Sequence, residues 1–354
     1  MKVNVNLTDV IQELVEERDL DRSTLASIIK EGMLAGYEKK YPELELRVDF
    51  DDSTGNLTVG VCKEVVSVVE SEDVQISLRK ARNINPDVVA GEKIWVPFEK
   101  GIGRVEVLKA KQIIAQRIRE IEAQAVYNAF KDKEGLIVQG SLYKNERAGS
   151  LVKLQDVIAF LPKSLSVPGE TLVPGYPIKA LLKEVLAQPK GENQLILDRV
   201  STTFLKKLFE LEIPEVFEGL VEVKQIVRDP GYKSKVVVAS HDVNIDPVGT
   251  CVGVGGARIK PILKELGGEK IDVITASSSQ EEFVRNSLKP AEINRVEVMG
   301  RVARVWLNDD QRSLAIGKMG KNIALASELV GLDIELVESG GSAKNLVMDI
   351  NEQE

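Results

Sequence analysis

One histidine, His241, and two cysteines, Cys62 and Cys251, are all the soft metal ligands in the 354 residues. A structural zinc site gathers about four such ligands, and the cysteines stand far apart. Zinc and disulfide roles are therefore set aside, and both thiols are expected as small buried apolar groups. No apolar run approaches the ~20 residues that cross a bilayer. The N-terminus is polar by Asn4 and Asn6 and acidic soon after, unlike a secretory signal, so a cytoplasmic chain without membrane contact is expected. Neither Gly-Lys-Ser nor Gly-Lys-Thr occurs, which leaves a nucleotide-hydrolysing P-loop without support. The run Gly253-Val254-Gly255-Gly256 fails the dinucleotide spacing because residue 258 is arginine, and no parallel βαβ pattern surrounds it. A Ser-His-Asp triad would have to use His241, which precedes Asp242 in a polar loop and reads as an exposed turn histidine. No catalytic residue, cofactor or metal is expected, and the chain reads as non-enzymatic.

What the sequence does hold is a duplication. DPVGTCVGVGGARIKPILKEL, Asp246 to Leu266, returns in weaker form as DDQRSLAIGKMGKNIALASEL, Asp309 to Leu329, with the two Gly-x-x-Gly loops sixty-four residues apart. In each copy a short apolar helical turn runs into Gly253–Gly256 or Gly317–Gly320, and an amphipathic helix led by Ile259 or Ile323 follows at once. Glycines at that spacing let a backbone approach a ligand without Cβ interference, and the next helix aims its free amides and positive dipole end at the guest. A phosphate chain suits such a cradle. In the first copy the loop is uncharged and Arg258 and Lys260 follow it; in the second, Lys318 lies inside the loop and Lys321 just after it. Glycines that merely cap short helices would explain one loop, whereas two aligned loops with adjacent cations favour nucleic acid.

Charge is divided along the chain. The net charge is −8, yet residues 1–74 hold 8 Lys and Arg against 17 Asp and Glu, and residues 328–354 hold 1 against 7. Residues 75–327 hold 38 basic against 31 acidic, so the positive excess coincides with both loops.

Taken in order, Leu7 to Tyr41 carries two helical patterns broken near Asp19–Asp21, with Leu25, Ile28, Ile29, Met33 and Tyr37 as one apolar stripe. Alternation over Leu44–Phe50 and Leu57–Val61, around Ser53-Thr54-Gly55-Asn56, predicts a β-hairpin. ISLRKARNI, Ile76 to Ile84, reads as a helix and Gly91–Phe98 as a strand, closing a domain near residue 103. Arg104 to Lys131 lacks glycine and proline and repeats Val107, Ile114, Ile118, Ile121 and Ala125 at helical spacing. A helix of roughly 28 residues would span about 42 Å, enough for a strut. Its Lys109, Lys111, Arg117 and Arg119 admit two readings, a solvated charged face or a nucleic-acid contact. Between Gly135 and Val200 five short β-rich runs separated by Gly- and Pro-rich loops predict a small barrel.

Each Gly-x-x-Gly sits in a pattern of helix, strand, strand, helix, loop, helix, strand that resembles a bacterial KH domain, whose loop clamps about four nucleotides of single strand. The run EIPEVFEGLVEVKQIVRDPGYKSKVVVASHDVNIDPVGTCVGVGGARI, followed by AIGKMGKNIALASEL, resembles the tandem KH region of the NusA family of bacterial transcription factors. AKQIIAQRIREIE is similar to that family's connector helix, and the resemblance extends from about residue 3 to 338. The barrel is similar to the OB-fold of ribosomal protein S1, but departs from it. No aromatic stands between Arg147 and Lys153, where such barrels often stack bases. Of the possible substitutes, Phe160 is expected in the core and Tyr143 in a loop.

The resemblance implies a multidomain α+β fold. It comprises an N-terminal domain (1–103), a connector helix (104–132), an S1-type OB-fold barrel (133–200), two tandem type II KH domains (201–277 and 278–338) and a flexible acidic tail (339–354). It further implies a monomeric elongation factor that binds RNA polymerase through residues 1–132, nascent single-stranded RNA, and other antitermination factors. Pausing, termination and antitermination would be its outputs. The RNA-binding set carried onto this chain is Gly253, Val254, Gly255, Gly256, Arg258, Lys260, Gly317, Lys318, Met319, Gly320, Lys321 and Asn322. An RNA-decay or ribosome-associated KH and OB-fold protein without polymerase contact is the alternative, although no catalytic domain of a nuclease is legible.

Overall fold

The computed structural model describes residues 22–50, 57–191 and 193–338. The first helical pattern, the Ser53–Asn56 turn and the acidic tail lie outside the described residues. The chain divides into two units, Met1–Ala125 and Val126–Glu354.

In the first unit a helix α1 (Arg22–Lys40) precedes a four-stranded sheet of β1 (Leu46–Phe50), β2 (Leu57–Val66), β3 (Gln75–Ser77) and β4 (Lys93–Pro97). All three other strands pair with β2, β3 in parallel. The predicted helix over 76–84 is shorter than expected. Ile76 is buried on β3, and α2 (Leu78–Arg82) starts only after Ser77, whose extended backbone and hydroxyl cap Lys80 N–H. Helix α1 packs against α3 (Arg104–Phe130) through Ile28, Ile114 and Ile118. A Cβ at Gly32 would lie 2.3 Å from Ile114, and one at Gly36 3.0 Å from the carbonyl of Glu106. Those glycines let the helices touch. Arg117 forks onto Glu31 at 2.6 Å and reaches Glu120 at 2.8 Å, so this cation of α3 is engaged within its own unit. Cys62 is only half-buried, on the strand that all others pair with, rather than fully inside as expected.

The last turn of α3 belongs to the second unit, where Phe130 joins the core of a closed barrel. Its strands β5 (Ile137–Asn145), β6 (Gly149–Leu154), β7 (Val157–Pro162), β8 (Pro177–Lys190) and β9 (Asn193–Asp198) close in the order β5-β6-β7-β9-β8. Leu142, Val152, Ala159, Leu161, Leu182 and Leu195 point inward with period two. Tyr143 is not in a loop but on β5, at the bulge between Leu142 and Lys144, and is exposed. Phe160 alternates with buried Ala159 and Leu161, so it is half-buried on β7 rather than in the core.

The duplicated sequence folds twice into one topology. The first copy comprises α4 (Thr202–Glu212), α5 (Pro214–Phe217), β10 (Val221–Asp229), β11 (Lys233–Ser240), α6 (Pro247–Val252), α7 (Ile259–Glu265) and β12 (Lys270–Thr275). The second comprises α8 (Gln280–Ser287), β13 (Arg295–Met299), β14 (Val302–Leu307), α9 (Asp309–Ile316), α10 (Lys321–Val330) and β15 (Asp333–Glu338). In both, an antiparallel hairpin is extended by a parallel third strand, the type II KH arrangement. The fold class expected from the sequence, mixed α and β with a barrel and two KH domains, is the one found.

Two joints hold barrel and KH folds together. At the first, buried Arg199 bonds Glu170 and the Glu265 carboxylate (2.6 Å) and carbonyl (2.9 Å). Buried Arg228 takes Glu269 with two bonds of 2.8 Å. The Phe204 ring has both guanidinium groups near it, at 5.4 and 5.8 Å. Such buried pairs resist losing one partner more than they add net stability. At the second joint, α10 lays Leu325 and Leu329 against Val227, Val237 and Ile274 of the first KH sheet, and Gln225 donates to the Leu329 carbonyl at 3.1 Å. The turn between β10 and β11 sits at both joints. A Cβ at Gly231 would come within 2.6 Å of the Pro168 carbonyl of the barrel, while Asp229 pairs with Lys321 of α10.

Candidate nucleic-acid interface

The two glycine loops share a backbone path. Gly253 has φ 74° and ψ 166°, and Gly317 has φ 73° and ψ 176°. The third residue is left-handed in each, Gly255 at φ 60° and Met319 at φ 55°, and the fourth likewise, Gly256 at 79° and Gly320 at 72°. In both, the fourth residue's N–H returns to the carbonyl of the first, at 3.0 and 3.2 Å. The second residue of one loop and the third of the other carry bare apolar tips: Val254 is 97% exposed and Met319 84%.

The first glycine of each loop is demanded by its neighbour five positions on. A Cβ at Gly253 would meet Arg258 at 3.0 Å, and one at Gly317 would meet Asn322 at 2.7 Å. These neighbours do equivalent work. Arg258 Nη1 donates to the Thr250 carbonyl at 2.8 Å, and Asn322 Nδ2 donates to the carbonyls of Leu314 and Ala315 at 3.2 and 3.1 Å. Thr250 and Leu314 are counterparts in the repeat, so each loop is braced to the helix that leads into it, by an arginine in one copy and an amide in the other.

Three of the expected contact residues have partners within the protein. The other arm of Arg258 is taken by Glu215 at 2.7 Å. Asn322 is 3% exposed, and its Oδ1 accepts from Lys233 at 3.0 Å, across the joint with the first KH sheet. Lys321 pairs with Asp229 at 2.5 Å and lies 4.6 Å from the centre of the Tyr232 ring. Each is committed within the protein, through partners on other elements that spacing alone does not reveal. The shared offset from the first glycine was the one signal that could have exposed Arg258 and Asn322 as braces. Lys260 and Lys318 differ: both are exposed, and neither has an ion pair among the described residues. The stem of Lys260 passes Gly256, within 3.6 Å of where its Cβ would be. The cradles therefore each keep one free cation beside bare backbone.

Behind the first loop Cys251 is fully buried, and burial, with Glu215 nearby, pushes its thiol up to about 12. It is packing material for the helix that ends at Gly253. His241 is exposed, 3.8 Å from Glu222. Among the described residues there is no group of three or more His, Cys, Asp or Glu placed to hold a metal ion, and no helix long and apolar enough to cross a membrane.

A closed five-stranded barrel joined to two KH folds, each presenting an exposed glycine loop, defines a modular RNA-binding protein of the KH and OB-fold class. Family descriptions narrow this: "NusA N-terminal domain" matches residues 6–124, "NusA-like first KH domain" residues 199–276 and "NusA-like second KH domain" residues 280–344. The chain is similar to the transcription termination/antitermination protein NusA of Thermus thermophilus, with 36% identity covering 95% of this chain and 91% of that protein. It is 34% identical to the NusA of Bacillus subtilis over 93% of this chain and 90% of that one. For the NusA of Rickettsia conorii the figures are 34%, 96% and 69%. The chain belongs to the NusA family of transcription termination/antitermination proteins.

Proposed function

We propose that the chain is a non-enzymatic elongation factor that binds RNA polymerase through its N-terminal unit and nascent single-stranded RNA through both Gly-x-x-Gly loops, thereby modulating pausing, termination and antitermination. The carrying observation is the pair of loops with matching backbone angles and one free lysine each, Lys260 and Lys318. Val254, Gly255, Gly256, Gly317, Met319 and Gly320 form the approach surface. Gly253 and Gly317 permit the braces; in this reading Arg258 and Asn322 hold the loops in shape, and Lys321 ties α10 to the first KH sheet through Asp229. The acidic balance of residues 1–74 suits a basic or mixed protein surface better than RNA. Other antitermination factors are further partners in this reading, and the chain acts as a monomer.

The test separates the two activities. The cut is best made before Val126, because Phe130 and its neighbours Val126 and Tyr127 pack in the barrel and a break at 132 would strip them from it. Residues 126–354 should bind single-stranded RNA as tightly as the full chain, yet neither co-purify with RNA polymerase nor alter pausing in a transcription assay. If that fragment still binds polymerase and modulates pausing, the assignment of polymerase to the N-terminal unit is lost, and the ribosomal or RNA-decay alternative gains if the full chain fails to bind it as well.

A further inference from the structure

The two loops are braced alike but supported from different places. Arg258, the brace of the first loop, bonds Thr250 and Glu215, both within the first KH fold. Asn322, the brace of the second, is buried and completes its bonds outside its own fold. Its Nδ2 donates to the carbonyls of Leu314 and Ala315, while its Oδ1 accepts from Lys233 Nζ at 3.0 Å. An ammonium offers only donors and a carbonyl only acceptors, so together they allow the amide one orientation. Lys233 is itself anchored, 2.7 Å from Asp272. Lys321, one position before Asn322, meets Asp229 and the Tyr232 ring. Both residues that follow the second Gly-x-x-Gly loop are thus held by the stretch Asp229 to Lys233, where β10 turns into β11 of the first KH fold. That turn differs from its counterpart. Pro230, Gly231 and Tyr232 connect the strands of the first hairpin, whereas Gly300 and Arg301 connect those of the second.

Resting on the RNA-binding reading of the second loop, we propose that Lys233 is a positioning residue for that loop: through Asn322, the first KH domain sets the shape in which the second presents its bare backbone and Lys318. The dependence runs one way. The first loop takes its brace from its own fold. Without Lys233, Asn322 Oδ1 would be buried with no donor, a state that drives the amide to move. Movement of the amide releases the carbonyls of Leu314 and Ala315, at the end of the helix from which the second loop departs.

The test reads loop shape and RNA binding separately, in the full chain. Hydrogen exchange is followed over residues 314–322 and, as the internal control, over 250–258. Gly320 N–H bonds the Gly317 carbonyl and Gly256 N–H the Gly253 carbonyl, so the two segments report the same bond in each loop. Lys233→Met should speed exchange over 314–322 and leave 250–258 unchanged, and Lys233→Arg, which restores a donor, should recover protection. Asp229→Ala, a half-exposed change in the same turn, should act in the same direction more weakly and serves if Lys233→Met fails to fold. RNA binding is measured with a labelled single-stranded oligoribonucleotide in a chain whose first loop carries Val254→Asp and Gly255→Asp. There Lys233→Met should weaken binding by about threefold to tenfold. Unchanged exchange over 314–322, or equal acceleration of both segments, would overturn the proposal whatever the RNA result. Faster exchange over 314–322 alone with undiminished RNA binding would uphold the brace and overturn the RNA-binding reading of that loop.

Discussion

Arg258 and Lys260 stand two positions apart, yet the first is tied to Thr250 and Glu215 while the second reaches solvent with its stem across Gly256. Lys321 and Lys318 repeat the contrast, the former held by Asp229 and the latter free. Consequences at the residue scale can be separated by salt. Lys260→Ala and Lys318→Ala should each weaken binding of all RNA sequences alike and lower the salt slope by about 0.7, one single-strand phosphate contact. Arg258→Ala should leave the slope unchanged and act through stability, since it leaves Glu215 without its cation. Titrating binding against salt for the three variants checks this; a reduced slope for Arg258→Ala would return it to the phosphate surface. Glycine positions and candidate cations were legible in the sequence because they are local signals. Which cations are spent was not, since Glu215 lies 43 positions from Arg258 and Lys233 lies 89 from Asn322.

At the scale of elements, the face that α10 buries decides how the KH folds meet. Leu325 and Leu329 lie on the amphipathic helix expected after the second loop, and they cover the sheet of the other copy. Periodicity reports that a face is buried and not what buries it. The same limit explains α3, whose single helical pattern serves the helix pair at Ile114 and the barrel at Phe130. Beside the α10 joint, fully buried Lys235 and its neighbour Lys233 share one oxygen of Asp272, at 3.0 and 2.7 Å. Burial, only partly offset by Asp272, lowers the Lys235 amine below its ordinary 10.5. The unfolded chain therefore binds more protons between the lowered value and 10.5, so this group makes stability rise with pH across that window. In Lys235→Met the burial cost is gone and Asp272 keeps Lys233. Denaturant melts should show the stability of wild type relative to Lys235→Met improving as pH climbs toward 10.5. A difference that stays constant, or moves the other way, would mean that the amine is not buried charged.

Over the whole molecule the acidic first segment, residues 1–74, lies in the first unit and both loops lie in the second, while the basic middle, residues 75–327, spans the fold's own division at Ala125–Val126. Composition revealed that asymmetry because charge sums need no geometry. The joints around Phe204 and Gly231, which fix barrel and KH folds to one another, were invisible to it. In the proposed function RNA is held by the two loops. RNA affinity of the full chain carrying Val254→Asp, Gly255→Asp and Lys318→Asp, measured beside circular dichroism and a thermal melt, tests this. Val254 and Lys318 are exposed and a Cβ at Gly255 meets open space, so the fold should persist, at a cost of about 1 kcal/mol for a side chain at the positive φ of residue 255. The expected outcome is a folded protein that has lost most of its affinity for single-stranded RNA. A folded variant that binds with wild-type affinity would contradict it.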